Sequence, residues 1–455
     1  MLSSLYFQKK PLFWFTFHVF LGIVSTFSTL PLILYFYLIF LLSFPLIVKQ
    51  RRVNTPLNYL ISYLISFEIL TRMANTSPFI PYELGKYFTF FILLAGIFFG
   101  KNKGYIGVFL IFLLLPAFFY DYSNQVGFTD IIFNCIGPIN VGLAIWYFYK
   151  QHITARGFYQ LIVLMSLPLV SVLSFTIFKL PDFNDIQFSL AANFDTTGGF
   201  GSNQVSTVLG LGFFLIFFLW SHGIKFTGKR TLDLGLMGAF FFQGLLTFSR
   251  GGLLGGVLGV LILLYYSTRI SKSSLMYKGL KKGRKFILPA MILVFILVVV
   301  SNNITGGLLL QRYQGKTYGT MLGAKEKNLN TLTTGRYEIF LGDWELFKDY
   351  FWTGVGAGAS RYLREFSSGI ITHVEMGRLL AEHGILGLVY FLILLFLIFQ
   401  IILMPNANAF KGFLLSCFFI GLFTSFHSAT RTFVTPLLIG LSTITIIHEK
   451  NFIPR

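Results

Sequence analysis

Residues 373–388 read HVEMGRLLAEHGILGL, and the apolar run that follows them is long enough to cross a bilayer. The stretch joins a polar loop, about residues 301–378, to a membrane span. Outside this loop the chain is nearly unbroken hydrocarbon, because 55% of its residues are hydrophobic and only 12% are charged. Soluble domains carry about 25% charged residues. The sequence therefore predicts an all-α, polytopic integral membrane protein that forms one membrane domain over residues 1–455.

The apolar runs can be divided into roughly fourteen spans, at about 20 residues for each crossing. Their centres lie near residues 19, 39, 63, 93, 112, 140, 168, 212, 240, 260, 293, 391, 420 and 440. Alternate loops then hold 22 basic and 2 acidic residues, against 14 basic and 15 acidic residues elsewhere. Short basic loops face the cytoplasm. We therefore expect cytoplasmic termini and one large extracytoplasmic loop, residues 301–378.

The same distribution explains the net charge of +19 as a topology signal rather than as a nucleic-acid surface. The two cysteines, Cys135 and Cys417, lie inside apolar segments, which favours neither a disulfide framework nor a metal cluster. The first apolar run, from Pro11 to Leu30, lacks a small-residue cleavage site and continues into another span. We interpret it as a membrane helix rather than a removed signal peptide.

Arginines at the predicted outer ends of the spans are the first candidate site residues. Arg250 follows Thr-Phe-Ser and precedes two glycines, which allow a backbone or a ligand to approach closely; an arginine there can also simply snorkel to the interface. Arg72 lies four residues after Glu68, a spacing that predicts an ion pair on one helix face. His427 and Arg431, also four apart, are interpreted as structural.

His373 and Asn203 each have a structural alternative as well. His373 lies just ahead of a helix start and needs polar surroundings for two ring nitrogens, although a lone histidine at such a boundary is usually structural. Asn203 begins a span after Gly-Gly-Phe-Gly-Ser, where it could cap the helix. The residues alone leave both roles open.

Four motifs follow one another over roughly residues 198–400: Gly199-Phe-Gly-Ser-Asn203, Thr247-Phe-Ser-Arg-Gly251, Gly335-Arg336 with Trp344 and Gly354-Val-Gly356, and His373 with Leu379-Leu-Ala-Glu-His-Gly384 and Gly387. In this order they resemble the motifs of the O-antigen ligase and O-antigen polymerase superfamily. One position departs from the family pattern, because Val374 stands where an asparagine usually follows the histidine. If that asparagine binds the acceptor or orients the histidine, either another group such as Glu375 takes this role here or the acceptor differs.

The resemblance implies a GT-C-like helical bundle in the bacterial inner membrane. It would move a preassembled glycan from undecaprenyl diphosphate to a lipid A-core acceptor at the periplasmic face, with inversion of the anomeric centre. Arg250 and Arg336 are expected to hold the diphosphate, with Arg72 and Arg312 as weaker candidates, because guanidinium groups bind phosphate bidentately. His373 would act as general base. The expected supporting residues are Asn203, Ser249, Gly354, Gly356, Glu375 and Glu382.

Several alternatives share parts of this pattern. An O-antigen polymerase, which joins lipid-linked repeat units, and a protein O-glycosyl ligase would carry the same motifs; we favour a ligase because the histidine segment keeps ligase-like spacing throughout. A polysaccharide flippase or transporter should show internal repeats and mid-bilayer charges, and the sequence shows neither. No acidic cluster resembles a metal site, so we expect no divalent metal and no cofactor.

Overall fold

The computed structural model describes residues 10–49, 53–100, 104–183, 185–321, 328–365, 368–370 and 372–447. Its helices are α1 Pro11–Phe27, α2 Leu30–Val48, α3 Pro56–Met73, α4 Leu84–Phe99, α5 Tyr105–Leu114, α6 Phe128–Phe148, α7 Ala155–Phe178, α8 Ser202–Ser221, α9 Arg230–Leu246, α10 Arg250–Ser267, α11 Leu275–Gly283, α12 Ile287–Ile304, α13 Leu308–Tyr313, α14 Tyr318–Met321, α15 Leu329–Leu332, α16 Arg336–Asp349, α17 Ser360–Leu363, α18 Glu375–Leu403, α19 Asn408–His427 and α20 Val434–Leu441. Two strands, β1 His152–Thr154 and β2 Thr445–Ile447, pair in parallel. The predicted all-α, polytopic class is confirmed.

Every predicted span centre falls on a helix, but the helices differ in length. Seven described helices are long and apolar enough to cross a membrane: α2, α6, α7, α8, α10, α18 and α19. An eighth results if α11 and α12, which meet at a bend of 62°, form one span. Helices such as α5, with 10 residues, and α20, with 8, are too short for a hydrocarbon core about 30 Å thick. Length and composition therefore support seven or eight full spans rather than fourteen.

Loops predicted for the basic side of the membrane contact one another at one end of the bundle. Strand β1 follows α6 and pairs with β2 near the end of the chain, and Val53 forms an isolated bridge with His152. The amide of Asn406 donates to the carbonyl of Ile444 at 3.2 Å, and its oxygen accepts the N–H of Ile446 at 2.7 Å. These segments come from three predicted loops and the C-terminal segment, and their contacts agree with the predicted alternation of loops along the chain.

Loops predicted for the opposite side contact one another in the same way. The N–H of Tyr122 donates to the carbonyl of Val355 at 3.1 Å, which joins the loop after α5 to the long loop before α18. The guanidinium of Arg72 donates to the carbonyl of Arg431 at 3.4 Å, which joins the end of α3 to the turn between α19 and α20. The charged segments of the long loop thus lie at one end of the bundle. That this end faces away from the cytoplasm remains an inference from charge.

Glycines bring the helices that carry the first motifs into close contact. A Cβ on Gly252 or Gly256 of α10 would collide with the backbone of α8 at Ser206 and Gly210, respectively. This backbone contact fixes the position of α10 against α8. It places Arg250, the first residue of α10, at the end of the bundle that carries the long loop.

Helix α18 is interrupted at Gly384, whose φ of 56° and ψ of −134° leave the helical region. The break frees carbonyl groups in the preceding turn. Ala381 accepts the N–H of Val355 at 2.9 Å, and Glu382 accepts the N–H of Gly356 at 3.2 Å. The glycine-rich loop 354–358 is therefore hydrogen-bonded to the broken helix, which joins two motifs that lie about 30 residues apart in the sequence.

Candidate functional site

Three arginines from separate elements meet at the charged end of the bundle: Arg250, Arg312 of α13 and Arg336, the first residue of α16. The guanidinium of Arg250 donates to the carbonyls of Arg312, at 3.1 Å, and Leu332, at 2.5 Å. That of Arg336 donates to the carbonyl of Thr333, at 3.0 Å. Leu332 and Thr333 are consecutive, so the two guanidinium groups lie at adjacent peptide groups, as expected. We call these three residues the arginine triad.

The triad has no acidic partner in the part of the chain that the structure describes, where seven ion pairs all involve other residues. Burial and the guanidinium groups of Arg250 and Arg336 lower the pKa of Arg312 to about 10. Burial and Arg250 also lower the pKa of Arg336. Unpaired like charges destabilise a folded protein, and such arrangements concentrate at functional sites. The triad is thus a candidate anion site.

The turn before Arg250 is held in an unfavourable conformation. Phe248 has a φ of 55°, a region that a bulky L residue rarely adopts, and its side chain is buried in a stack against Phe188. Its carbonyl accepts the Nε–H of Arg312 at 3.4 Å. Residues in this region cost about 1–3 kcal/mol and persist where the surroundings enforce them, which is often at functional sites.

Asn203 and Ser249 connect the first two motifs. The hydroxyl of Ser249 donates to the side-chain oxygen of Asn203 at 2.7 Å. Helix α8 begins at Ser202, so the alternative that Asn203 caps this helix is wrong. A Cβ on Gly251 would lie 2.5 Å from the ring of His427, which explains why only glycine fits beside that ring. The ring of His427 also contacts the hydroxyl of Thr207 at 3.1 Å, so it packs between α8 and α10.

His373 lies two residues before α18, between the triad and Arg431. Its ring is half-buried, and Nδ1 has no hydrogen-bond partner among the described residues. Burial, followed by the charges of Arg431, Arg336 and His427, lowers the pKa of His373 to about 3. In the site without substrate the imidazole is therefore a weaker base than a free histidine, because burial and the surrounding cations both disfavour the imidazolium.

A second group of charges adjoins His373 and is internally paired. We call it the ion-paired cluster; it consists of Arg72, Lys86 and Arg378 with Glu68, Glu83, Glu375 and Glu382. Arg72 pairs with Glu68, as the spacing predicts, and also approaches Glu83 at 3.6 Å. Arg378 pairs with Glu375 and, at 3.1 Å, with Glu382. Each cation of this cluster is therefore balanced locally.

The supporting residues of the last two motifs build the start of α18. Glu382 accepts the hydroxyl of Ser360 at 3.0 Å as well as Arg378. Gly354 has a φ of 74°, and a Cβ there would collide with the backbone of Glu382; a Cβ on Gly356 would collide with the carbonyl of Tyr120. Glu382 and these glycines therefore shape the start of α18.

Arg431 is the residue whose relation to His373 the sequence does not indicate. Its guanidinium donates to the carbonyl of Thr372 at 3.3 Å, and the N–H of Ala429 donates to the carbonyl of His373 at 3.1 Å. The turn between α19 and α20 thus holds the histidine loop from both sides. Its charge is the largest electrostatic cause of the lowered pKa of His373. The feature of the sequence that could have indicated this role is an arginine in a polar turn on the predicted outer side.

Residues 235–392, about a third of the chain, match a family model described as O-antigen ligase. The match confirms the predicted resemblance to the O-antigen ligase and polymerase superfamily. It indicates a membrane protein of the ligase or polymerase type. No curated protein and no solved structure matches the chain.

The matched segment contains the whole triad, His373, the glycine-rich loop and both carboxylates of α18. Arg72, Asn203, His427 and Arg431 lie outside it. The candidate site is therefore completed by elements on both sides of the matched segment.

Proposed function

We propose that the protein is an O-antigen ligase that transfers a preassembled glycan from undecaprenyl diphosphate to a lipid A-core acceptor at the periplasmic face of the bacterial inner membrane. The observation that carries the proposal is the arginine triad: three cations without a carboxylate partner in the described structure, beside a neutral histidine. The family match supports the general reaction type, and the triad supports the phosphate-linked donor.

The triad fits a diphosphate better than a ligand with a single negative charge, because its guanidinium groups come from three elements that meet at one place. Nε of Arg336 is buried without a hydrogen-bond partner in the described residues, so that it has a donor to offer a ligand. A glycosyl diphosphate gains negative charge on the leaving group in the transition state, and fixed cations stabilise that state most. We assign Arg250, Arg312 and Arg336 to this role. Arg72 supports the site through the ion-paired cluster.

A buried apolar cluster lies next to the triad. Phe241 and Leu245 of α9, Leu253 of α10 and Leu309 of α13 form it, with Leu297 of α12 packed against them. The outer face of α12 is apolar and exposed at Phe295, Val299 and Val300, and α13 with Arg312 follows it in the chain. A polyprenyl chain against this face of α12 would bring its diphosphate to the end of the bundle that carries the triad.

His373 would accept the proton of the attacking acceptor hydroxyl. The oxygen forms a bond to the anomeric carbon, the bond to the diphosphate oxygen breaks, and the electron pair leaves with the diphosphate, which inverts the centre. In the site without donor the imidazole is neutral but weakly basic. A bound diphosphate offsets the charges of Arg336 and Arg431 and so raises the pKa of His373. The base becomes stronger once the donor is in place.

The test is transfer by the purified full-length protein in liposomes, with undecaprenyl diphosphate-linked glycan as donor and lipid A-core as acceptor. We expect transfer by the wild type and by Arg361→Gln, a control that removes a loop arginine paired with Asp130 at 3.0 Å. We expect none by Arg336→Gln. Absence of transfer by the wild type would refute the proposal.

The lipopolysaccharide profile of a deletion strain separates the alternatives. Long glycan chains that accumulate on the lipid carrier are expected for a ligase, whereas core that bears a single repeat unit would indicate a polymerase. Lipid-linked repeats retained at the cytoplasmic face would indicate a flippase.

A further inference from the structure

Helix α16 connects the ends of two membrane spans. Its first residue, Arg336, donates to the carbonyl of His427 at 3.3 Å, and His427 is the last residue of the span α19. At the other end the carbonyl of Phe351, two residues after the helix, accepts the N–H of Ile385 at 2.7 Å. Ile385 follows the break at Gly384, where the apolar part of the span α18 begins. Both ends of α16 therefore lie at one boundary of the bilayer, and the helix follows this boundary.

One face of α16 is apolar although it is exposed. Tyr337, Leu341 and Trp344, which we call the apolar stripe, follow one another at helical spacings of four and three residues, and each is 39–40% exposed. On another side of the helix, Leu346 is buried in a cluster with Ala381 of α18. A helix that meets water carries polar residues on its outer face. The exposed stripe therefore indicates an apolar partner.

A polar edge runs beside the apolar stripe. Glu345 and Asp349 are both exposed, and at about 100° per residue they lie roughly a quarter turn from the stripe around the helix axis. Lys348 extends the stripe by one turn and is exposed as well, so that its long side chain can carry the ammonium to lipid phosphates. Helices with an apolar face beside a charged one are typical of the membrane–water interface.

Exposed aromatic rings continue the apolar stripe past the end of α16. Trp352 is 76% exposed, and Phe119, in the loop after α5, is 86% exposed. Their sequence neighbours are in contact, because the hydroxyl of Tyr120 donates to the carbonyl of Thr353. Tryptophan is enriched at membrane–water interfaces, where its apolar ring and its polar N–H both find partners. These rings therefore indicate contact with lipid at this level of the molecule.

We propose that α16 lies in the headgroup interface of the adjoining lipid leaflet, with the apolar stripe against acyl chains and with Glu345 and Asp349 toward water. The partner is the phospholipid bilayer itself, because both ends of the helix meet membrane spans at its boundary. Since α16 begins at Arg336, this contact holds one guanidinium of the triad at the depth of the lipid phosphates. Docking of the helix on the bilayer does not depend on the reaction that the protein catalyses.

The experiment compares nitroxide labels at Leu341→Cys and at Glu345→Cys, a matched control one turn along the same helix. The full-length protein is reconstituted without donor in liposomes of phosphatidylethanolamine and phosphatidylglycerol, so that no polyprenyl chain is present. The native Cys135 and Cys417 are buried, and the wild type gives their background labelling. We expect the label at position 341 to be relaxed more by oxygen, which concentrates among acyl chains, than by a water-soluble nickel chelate. The label at position 345 should show the reverse order.

A label at position 341 that the nickel chelate relaxes as strongly as the label at position 345 would place the stripe in water and overturn the proposal. A label that neither reagent reaches would show that a second copy of the chain covers the stripe, which also overturns it.

The native tryptophans provide a second measurement that needs no cysteine variant. The fraction of the fluorescence that brominated phospholipids quench should fall in Trp352→Phe. It should not fall in the control Trp220→Phe, because that ring belongs to a residue only 5% exposed. Equal quenching of the wild type and Trp352→Phe would contradict contact between this end of α16 and lipid.

Discussion

The arginine triad and the ion-paired cluster lie at the same end of the molecule and adjoin the same histidine. They differ in whether their cations have carboxylate partners. In the cluster every cation has a carboxylate within 3.6 Å, and four carboxylates surround three cations. In the triad the guanidinium groups are held by backbone carbonyls, which orient them without neutralising them.

The difference separates structural from functional arginine in a membrane protein. The charge of an ion-paired arginine is neutralised by its carboxylate. An arginine held by backbone carbonyls keeps its positive charge, which can bind an anionic ligand. The triad thus fits a diphosphate and the cluster fits an architectural role, with His373 between them.

The largest effect is expected at the residue between the two regions. His373→Ala should lower transfer by more than about a hundredfold, as loss of a general base does, while thermal stability stays close to that of the wild type because the ring is only half-buried. Transfer assays and thermal unfolding of the same preparation check this. Near-normal turnover would leave His373 as a structural residue.

The second prediction sets one arginine of each region against the other. Arg378→Gln should destabilise the protein by about 3–5 kcal/mol, because it leaves the buried carboxylates of Glu375 and Glu382 unpaired. Arg336→Gln should leave stability unchanged or raise it, since it removes repulsion within the triad, while transfer is lost. Thermal unfolding in detergent measures the stability of both variants, and the liposome assay measures transfer. A strongly destabilised Arg336→Gln would mean that the triad is structural too.

A third, smaller effect tests the geometry of the charge. Arg250→Lys keeps the charge but loses the planar fork, so we expect a ten- to hundredfold loss, equivalent to about 1.5–3 kcal/mol for hydrogen bonds to a charged group. Inorganic pyrophosphate should raise the Tm of the wild type and raise that of Arg250→Lys less. Arg72→Lys in the cluster serves as control and should retain the pyrophosphate response. Equal responses from both variants would show that the triad does not bind diphosphate.

The smallest expected effect is on the pH profile. Burial and nearby cations hold the pKa of His373 at about 3 in the free protein. The imidazole is then neutral above about pH 4, so kcat/KM, which reports the free enzyme, should show no acid limb near pH 6.5. Arg431→Gln removes a neighbouring cation and should move that limb upward. An acid limb near 6.5 in the wild type would show that the triad and Arg431 do not act on His373.

Much of this arrangement could be predicted because it depends on local patterns. The apolar runs placed a helix at every predicted centre, and the Glu68–Arg72 spacing gave its ion pair. The alternation of basic loops separated the two ends of the molecule. The count of full spans could not be predicted, since an apolar window does not reveal that α5 or α20 ends after a few turns. The position of Arg431 beside His373 could not be predicted from the sequence either, because it depends on how the turn after α19 packs.

Hydrophobicity and residue spacing act along the chain, so the sequence alone indicates the class of protein, the end of the bundle where charge collects, the motifs that resemble O-antigen ligases and the pair of Arg72 with Glu68. The tertiary structure was needed to show that Arg250 has no carboxylate partner among the described residues and that the carbonyls of Arg312 and Leu332 hold its guanidinium. These carbonyls come from distant segments, and the free energy of the partly buried charge depends on how those segments pack.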